Sequence, residues 1–486
     1  MDIYLPLLTE IINDSIKRGV FPDELKIAEV TPLFKKADPF DKINYRPVSL
    51  LSHMSKVFER IIYNQINEYI EPLLSNLLTG FRKNHNTQHS LLKMLESFKE
   101  ALDKGNSVSA IFMDLSKAFD TLNHDLLIAK LEAYGFSTNS LSCIHSYLNN
   151  RLQRTNVNNG FSLWKEIFTG VPQGSILGPL LFNIYINDIF HFVDEAFLSN
   201  YADDTALYSI QKDVLSNQSI LKKNFKCLQN WFYDNYMVLN PGKCCYMTFG
   251  SKVAENDFVL EDGSSIPSAQ EHVVLGITID SRLTFYSHLK QLCKKVANKL
   301  NALTRVAPYL DQNQRRLIYS SFFTGQLGYC PLIWTFCSRQ SNHLINKLQE
   351  RALRLTYNDY ESNFSELLGK SNESPIHMRN IKVLMTEIYK FLNDLSPPIM
   401  NDIFQKQESY YSLRNPRPLI SKRKYSTTYG LDSISFRGPQ IWYNLPQEIK
   451  NSESLGVFKT NIKRYGSLTC RCKICKTFIP CVGYID

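Results

Sequence analysis

Three aspartates in the first half of the sequence lie in segments that are typical of a metal-binding catalytic centre. Asp203 and Asp204 are adjacent in the stretch Tyr-Ala-Asp-Asp (residues 201–204), where we predict a tight hairpin turn. Asp114 directly follows an apolar, strand-like run at residues 108–113. Phosphoryl transfer by two metal ions needs a few carboxylates that hold the ions about 3.5–4 Å apart, and oxygen ligands favour Mg2+. The pattern predicts such a site if the two segments are neighbours in one sheet.

Each of these acids also has a purely structural interpretation. Aspartate is favoured in turns, so Asp203 and Asp204 could form a solvated turn. Adjacent side chains on a strand point to opposite faces, so both acids serve one site only if the turn redirects them. Asp114 could be a helix N-cap, although the helical pattern begins only at His124. The local sequence leaves these alternatives open.

Cationic side chains precede the acids in a predicted β-hairpin. Residues 27–36 are strand-like and end in Lys35 and Lys36, and residues 44–50 form the returning strand, which carries Arg46. Arginine forks and lysine point charges bind polyphosphates. The hairpin could therefore hold a polyphosphate, or it could be an edge hairpin that its charges protect from aggregation.

Two loops add candidate contacts to a nucleic acid. The loop at residues 80–87 is basic and polar with one aromatic, Phe81, which is available for base stacking; a plain surface loop fits equally well. The loop at residues 170–175 contains two glycines and a proline and precedes an apolar helix predicted at residues 176–189. Such loops let backbone N–H groups approach a ligand or a base pair closely.

Length and composition bound the class of protein. A chain of 486 residues suggests about three subdomains at roughly 100–200 residues each. A hydrophobic content of 44% excludes global disorder, and a net charge of +9 permits a polyanionic partner without requiring one. We find no signal-peptide pattern and no apolar run of about 20 residues. With eleven cysteines, this favours a reducing intracellular compartment and no membrane partner.

Helical spacing predicts most of the remaining elements. The segment at residues 1–25 is predicted to be helical up to Gly19, which ends the helix. Further helices are predicted at 55–69, 90–102, 124–134, 139–150, 215–238, 313–326, 339–357 and 377–395. A further helix after Thr284 carries a flank of lysines that is either solvated or in contact with nucleic acid. Strands or hairpins are predicted around the Asn-Gly pair at 159–160, from Lys243 to Phe249, at 257–266 and at 273–279. After residue 405 the sequence becomes basic, polar and less periodic.

The C-terminal end contains four thiols that could bind zinc, Cys470, Cys472, Cys475 and Cys481. Cys472 and Cys475 have the usual C-x2-C spacing of zinc ligands. The spacing of Cys470 and Cys472 is tight for such a site, and no histidine is nearby in the sequence. Zinc binding therefore stays an open alternative.

Several of these motifs together resemble one family. Residues 112–120 (FMDLSKAFD), 170–179 (GVPQGSILGP) and 201–204 (YADD) look like the three palm motifs of reverse transcriptases, in the right order. The finer form resembles non-LTR (LINE-type, jockey-like) retrotransposon polymerases, on residues 44–50 (NYRPVSL), 80–83 (GFRK) and 275–280 (LGITID). The resemblance covers about residues 20–400, and ordered motifs over that length are highly specific.

This resemblance implies an α+β right-hand polymerase fold. Fingers with an N-terminal helix would occupy residues 1–105, a palm with an antiparallel sheet 106–283 and a helical thumb 284–400. A small basic region with the cysteine cluster would follow at 401–486.

The resemblance also assigns roles to individual residues. Asp114, Asp203 and Asp204 match the catalytic acids that hold two Mg2+ ions, for which Mn2+ can substitute. The Leu115 carbonyl matches a further metal ligand. Asp203 would bind both ions directly, while Asp204 would chiefly shape the electric field.

Other positions match residues that contact nucleotide, template or primer. Phe119 would block a ribose 2′-OH, and Gln173 and Gly174 would pack against the incoming nucleotide and template. The triphosphate would be held by Arg46 and by Lys35 or Lys36, and Lys243 would donate a proton to pyrophosphate. Primer and template contacts would come from Gly80, Phe81, Arg82, Leu275 and Gly276.

The resemblance implies an RNA-directed DNA polymerase that uses an RNA template, a DNA primer and dNTPs. It would work inside the cell, in nucleus and cytoplasm, as a ribonucleoprotein. Related elements carry an upstream apurinic-type endonuclease, so that activity would come from another chain or a missing upstream region. Two rivals are a group II intron maturase, whose finger and second-motif sequences differ, and a catalytically silent nucleic-acid-binding relic or polyprotein fragment. The C-terminal cysteines do not match the Cys/His knuckle of the family.

Overall fold

A computed structural model describes residues 4–35, 38–116, 118–239, 243–250, 256–407, 418–421, 425, 428–465, 472 and 474–475. Two compact units are present. The first contains Met1–Phe81, Met113–Leu207 and Leu221–Cys244, and the second contains Arg82–Phe112, Tyr208–Ile220 and Cys245–Asp486. The four predicted regions with boundaries after residues 105, 283 and 400 remain a prediction. Within the described ranges, no helix is long and apolar enough to cross a membrane.

The elements before residue 250 are a mixture of helices and strands. They are α1 (Tyr4–Arg18), β1 (Ile27–Phe34), β2 (Tyr45–Leu50), α2 (His53–Ile70), α3 (Thr87–Asp103), β3 (Ser107–Ser116), α4 (His124–Ala133), α5 (Thr138–Leu148), β4 (Arg151–Val157), β5 (Gly160–Phe161), β6 (Lys165–Ile167), α6 (Leu177–Ile186), β7 (Phe197–Tyr201), β8 (Asp204–Gln211), α7 (Val214–Asp234), β9 (Val238–Leu239) and β10 (Cys245–Phe249).

The elements after residue 256 are two hairpins followed by helices. They are β11 (Phe258–Val259), β12 (Ser265–Ile266), β13 (Glu271–Val274), β14 (Ile277–Asp280), α8 (Tyr286–Val306), α9 (Gln312–Ile318), α10 (Gly325–Leu327), α11 (Pro331–Trp334), α12 (Arg339–Tyr357), α13 (Phe364–Ser371), α14 (Ile376–Leu392), α15 (Ile434–Tyr443), α16 (Gln447–Lys450) and α17 (Leu455–Arg464). A π-helical turn at Tyr319–Thr324 separates α9 from α10, so the single helix predicted at 313–326 is interrupted.

One sheet of the first unit is built on the predicted cationic hairpin. Its strand order is β2-β1-β4-β5, with β6 also paired to β4. β1 and β2 are antiparallel, with Leu33 opposite Arg46, and β1 and β4 are parallel. The turn between β4 and β5 consists of Asn158 and Asn159, which have φ values of 50° and 64°. The predicted hairpin is confirmed, but its turn is Asn-Asn, and Gly160 begins the next strand.

The second sheet carries the aspartates, in the strand order β10-β3-β8-β7, with β9 paired to the end of β3. β3 was predicted to stop before Asp114, but it continues to Ser116 because Leu115 pairs with Leu239 of β9. Asp114 is therefore not a helix N-cap. That position on α4 belongs to Asn123, whose side chain accepts a hydrogen bond from the Leu126 N–H.

Among its described residues, the C-terminal region, whose sequence is less periodic, contains the three helices α15, α16 and α17, all in the second unit. Two carboxylates of α3 bind its backbone. Glu96 accepts hydrogen bonds from Ile434 and Ser435 at the start of α15, and Asp103 accepts from Tyr425 and Gly430. The sequence analysis predicted no helix here because the apolar residues lie on helices of only four to ten residues, too short for a clear 3.6-residue period.

Candidate active site

The turn that carries the adjacent aspartates is a two-residue β-hairpin. β7 ends at Tyr201 and β8 begins at Asp204, so Ala202 and Asp203 form the turn. Ala202 has a left-handed backbone, with φ of 56°, as such hairpin turns require. The predicted hairpin is confirmed, and both aspartates are exposed to solvent.

Asn200 holds this turn from the inside. Its fully buried side-chain amide donates hydrogen bonds to the Ala202 carbonyl and the Thr205 hydroxyl, both at 2.9 Å. The backbone carbonyl of Asn200 accepts hydrogen bonds from the N–H of Thr79 at 3.2 Å and from the Thr79 hydroxyl at 2.8 Å. The turn is thereby fixed to the segment before Gly80. Sequence reasoning missed this role of Asn200, although a polar residue in an apolar strand is a usable signal.

Gly80 packs directly against the same turn. A Cβ atom at this position would lie 2.5 Å from the backbone nitrogen of Ala202, a separation that real Cβ atoms do not show. The Asn183 side chain donates a hydrogen bond to the Gly80 carbonyl at 2.8 Å. The structure thus gives Gly80 a positioning role at the turn, and its predicted contact with primer or template remains a prediction.

Asp114 lies on β3, the neighbour of β8 in the sheet, as the metal-site prediction required. Asp204 is exposed as a whole residue, yet desolvation by the protein around its carboxyl group, followed by repulsion from Asp203 and Asp114, raises its pKa to about 6. Lys35 acts in the opposite direction. A divalent cation bound between these carboxylates would relieve their mutual repulsion.

Two of the predicted cationic residues are close to the acids. Lys243 Nζ lies 3.1 Å from Asp114 Oδ2, and the two side chains are 60% and 40% exposed. Lys35 directly follows β1, and its charge opposes the rise in the pKa of Asp204. Arg46 is exposed on β2 of the same hairpin, and Lys36 lies outside the described residues.

The loop at 170–175 is held between two segments of the first unit. The Gln173 side chain donates a hydrogen bond to Asp120 Oδ1 at 2.9 Å. The backbone carbonyl of Gln173 accepts a hydrogen bond from the Ser49 N–H at 2.7 Å. Gly174 has φ of 128°, and a Cβ there would lie 2.6 Å from the Ser49 carbonyl oxygen. Both predicted loop residues therefore have firm structural partners.

Phe119 packs within a row of aromatic rings. It stacks on Phe182, with ring centroids 4.6 Å apart, and meets Phe81 edge to face at 5.8 Å. Phe81 is 44% exposed and has φ of 58°. The structure thus joins two residues that the sequence singled out separately.

A buried carboxylate that sequence reasoning missed begins the helix after this loop. Glu59 of α2 accepts hydrogen bonds from the N–H groups of Ile176 at 2.6 Å and Leu177 at 3.1 Å. Desolvation raises its pKa, against the opposing effects of these N–H groups, Arg151 and Ser55. A carboxylate at a helix N-terminus satisfies otherwise unpaired donors. Glu59 therefore fixes α6 and the loop that precedes it.

The remaining predicted residues are distributed between the two units. Leu115 is buried on β3 of the first unit, and Arg82 is 8% exposed in the second. Leu275 and Gly276 of the second unit, with φ values of 47° and 78°, form the turn of the β13–β14 hairpin. This hairpin corrects the single strand predicted at 273–279. The Tyr329 hydroxyl donates a hydrogen bond to the Leu275 carbonyl at 2.7 Å.

Of the four thiols that could bind zinc, Cys472 and Cys475 are described, and both are buried. Cys470 and Cys481 lie outside the described residues. No histidine is near these cysteines in the sequence, but His377 of α14 lies close to them in the folded chain.

The fold and the aspartate site agree with the family to which the sequence belongs. Residues 34–279, a little more than half of the chain, match the reverse transcriptase (RNA-dependent DNA polymerase) family. The chain therefore belongs to the reverse transcriptase family, and the predicted α+β polymerase fold is confirmed.

Named relatives refine this assignment. The probable RNA-directed DNA polymerase from transposon BS of Drosophila melanogaster is 30% identical over 72% of this chain and 40% of its own length. The RNA-directed DNA polymerase from mobile element jockey of the same organism is 29% identical over 73% of this chain and 40% of its own length. The predicted jockey-like resemblance is thus confirmed, and the chain spans about two fifths of these relatives. Apo telomerase from Candida tropicalis is 13% identical with a TM-score of 0.41, covering 80% of this chain and 72% of that chain.

Proposed function

We propose that this chain is the RNA-directed DNA polymerase of a non-LTR retrotransposon, which extends a primer 3′-OH with dNTPs on an RNA template. The main support for this proposal is the position of the three aspartates. Asp114 lies on β3, Asp203 and Asp204 lie at the turn into the neighbouring strand β8, and the charges of Asp114 and Asp203 raise the pKa of Asp204. Membership of the family and the printed names of the relatives support the proposal.

The three aspartates are the residues that would hold divalent ions, which reverse transcriptases generally use. An all-oxygen ligand set favours Mg2+, with Mn2+ as a substitute, and the Leu115 carbonyl would add a further oxygen. When bound, two such ions activate the attacking oxygen and stabilise the charge on the leaving group. The raised pKa of Asp204 fits this role, because desolvation and then repulsion from Asp203 and Asp114 cause it, and a bound cation would oppose both.

The cationic residues bind and protonate phosphate in this proposal. Lys35 and Arg46, with Lys36 beside them in the chain, hold the triphosphate by charge and by hydrogen bonds. The ion pair of Lys243 with Asp114 is largely exposed, so it is weak. Lys243 can therefore exchange Asp114 for a phosphate oxygen and donate a proton to the leaving pyrophosphate.

Phe119 excludes a ribose 2′-OH from the nucleotide site. Its ring is held by Phe182 and Phe81, so it presents a fixed surface to the sugar. Gln173 and Gly174 position the nucleotide and template from a loop whose backbone is fixed by Ser49.

Primer and template are bound by the remaining predicted residues, Gly80, Phe81, Arg82, Leu275 and Gly276. The protein acts as a ribonucleoprotein in nucleus and cytoplasm. The strand nick that exposes the primer end comes from another chain or from an upstream region of a longer protein.

Primer extension by the purified chain tests this function. Poly(rA) annealed to oligo(dT), with dTTP and Mg2+, should yield extended primer, and EDTA should stop the reaction. Poly(dA) and UTP in place of poly(rA) and dTTP give the controls for template and sugar. Binding of poly(rA)/oligo(dT) without extension, in Mg2+ and in Mn2+, would contradict the proposal and favour the silent relic.

A further inference from the structure

A second group of metal-ligating side chains lies in the second unit. His377 of α14 and the tail residues Cys472 and Cys475 each offer one ligand atom, and these three atoms lie within 4.8 Å of one another. Their residues are only 4%, 0% and 4% exposed. The reverse-transcriptase chemistry makes no use of them.

The histidine has the tautomer that a metal ligand needs. His377 Nδ1 lies 3.0 Å from the backbone carbonyl oxygen of Thr335. A carbonyl oxygen only accepts hydrogen bonds, so Nδ1 carries a proton, and in the neutral ring Nε2 then presents its lone pair. Nε2 lies 3.3 Å from Cys472 Sγ. Metal-bound histidines are oriented in this way by a backbone carbonyl on the other ring nitrogen.

The two thiols have the local geometry of a zinc-binding turn. Cys472 and Cys475 have C-x2-C spacing, and the backbone N–H of Cys475 points at Cys472 Sγ at 3.5 Å. Zn–S and Zn–N bonds of about 2.3 and 2.0 Å in a tetrahedron place neighbouring ligand atoms roughly 3.5–3.8 Å apart. The observed spacing needs only small side-chain adjustments to reach these values.

We infer that His377, Cys472 and Cys475 bind a Zn2+ ion that fastens the C-terminal tail to α14. Two thiolates and an imidazole select a borderline-soft ion over Mg2+. Zinc displaces the thiol protons, which pass to solvent, and Nε2 donates its lone pair without losing a proton. The bond joins residues 95 positions apart, so binding contributes to the folding free energy of this region.

Metal content of the full chain tests the site. Protein purified in reducing buffer, stripped with EDTA and reloaded with Zn2+ should retain one zinc per chain after desalting. Co2+ in place of Zn2+ should give a thiolate-to-cobalt charge-transfer band and tetrahedral d–d bands. His377→Ala and Cys475→Ser should lose the ion, whereas Cys330→Ser, which alters a buried thiol outside the cluster, should keep it.

A measurement on the wild-type chain guards against misfolded variants. Zn2+ should protect Cys472 and Cys475 from alkylation by N-ethylmaleimide, read by peptide mass spectrometry, and EDTA should remove the protection. The exposed Cys227 should react equally in both samples. Alkylation of Cys472 and Cys475 that is unchanged by zinc would overturn the inference, as would zinc retention by Cys475→Ser equal to that of Cys330→Ser.

Discussion

The two adjacent aspartates differ in backbone position although they are the same residue type. Asp203 lies in the turn, and Asp204 is the first residue of β8. The sequence predicted the acids and the turn because residue type and spacing carry that information. It could not predict the ion pair of Lys243 with Asp114 or the raised pKa of Asp204, which depend on distances between segments remote in the chain.

Gly80→Ala should reduce primer extension by on the order of a hundredfold. The added Cβ would collide with the Ala202 backbone, and a shift of about 1 Å at a reacting group has an effect of that size. Steady-state dNTP incorporation, with circular dichroism to monitor folding, checks the prediction. Gly369→Ala is the control, because a Cβ there meets nothing within 4 Å. Equal activity of the two variants would show that Gly80 does not position the turn.

At the scale of elements, the loop at 170–175 was predicted as a glycine-rich segment before a helix, and that is its observed form. Its supports were not predictable from its own sequence, since Ser49, Glu59 and Asp120 lie on other segments. Periodicity predicted long helices such as α2 and α7 closely. It failed for β13–β14, where a two-residue turn interrupts a continuous apolar run.

Glu59→Ala should lower the free energy of unfolding by about 1–3 kcal/mol, because the Ile176 and Leu177 N–H groups at the start of α6 lose their acceptor. Urea unfolding followed by circular dichroism measures the change. Glu132→Ala on α4 is a matched control at an exposed position and should change stability little. A Glu59→Ala variant as stable as this control would contradict the proposed support of α6.

The C-terminal region belongs to the same compact unit as α3. The sequence predicted a separate basic region there, because composition changes after residue 405. Composition does not reveal that buried acids of α3, Glu96 and Asp103, bind backbone groups of that region. Each of the two units also combines segments that are distant in the sequence, and the predicted finger, palm and thumb boundaries stay a prediction.

Glu96→Gln should destabilise the chain by about 3–5 kcal/mol at neutral pH, since Lys99 is left buried without its charged partner. Desolvation alone would raise the pKa of Glu96, but Lys99 and the hydrogen bonds from Ser435, Ser433 and Ile434 outweigh it and lower the pKa. The stabilisation is therefore complete above the unfolded pKa of about 4.3 and is lost as pH falls through the folded value.

Urea titrations of wild type and Glu96→Gln at several pH values check this prediction. The difference in unfolding free energy should be constant near neutrality and shrink below pH of about 4. A difference that stays constant through that range would mean that the Glu96 charge does not stabilise the C-terminal region. Glu132→Gln serves as the exposed control.

The central claim is that Asp114, Asp203 and Asp204 act as one catalytic site. Single-turnover dTMP addition to oligo(dT) on poly(rA), measured for Asp114→Asn, Asp203→Asn and the double variant, tests it most directly. We predict that each single substitution reduces the rate of addition to a small residual value while poly(rA)/oligo(dT) binding persists, and that the double variant keeps the same residual rate, because residues acting as a unit are not additive. Addition at the wild-type rate by either single variant would contradict the account.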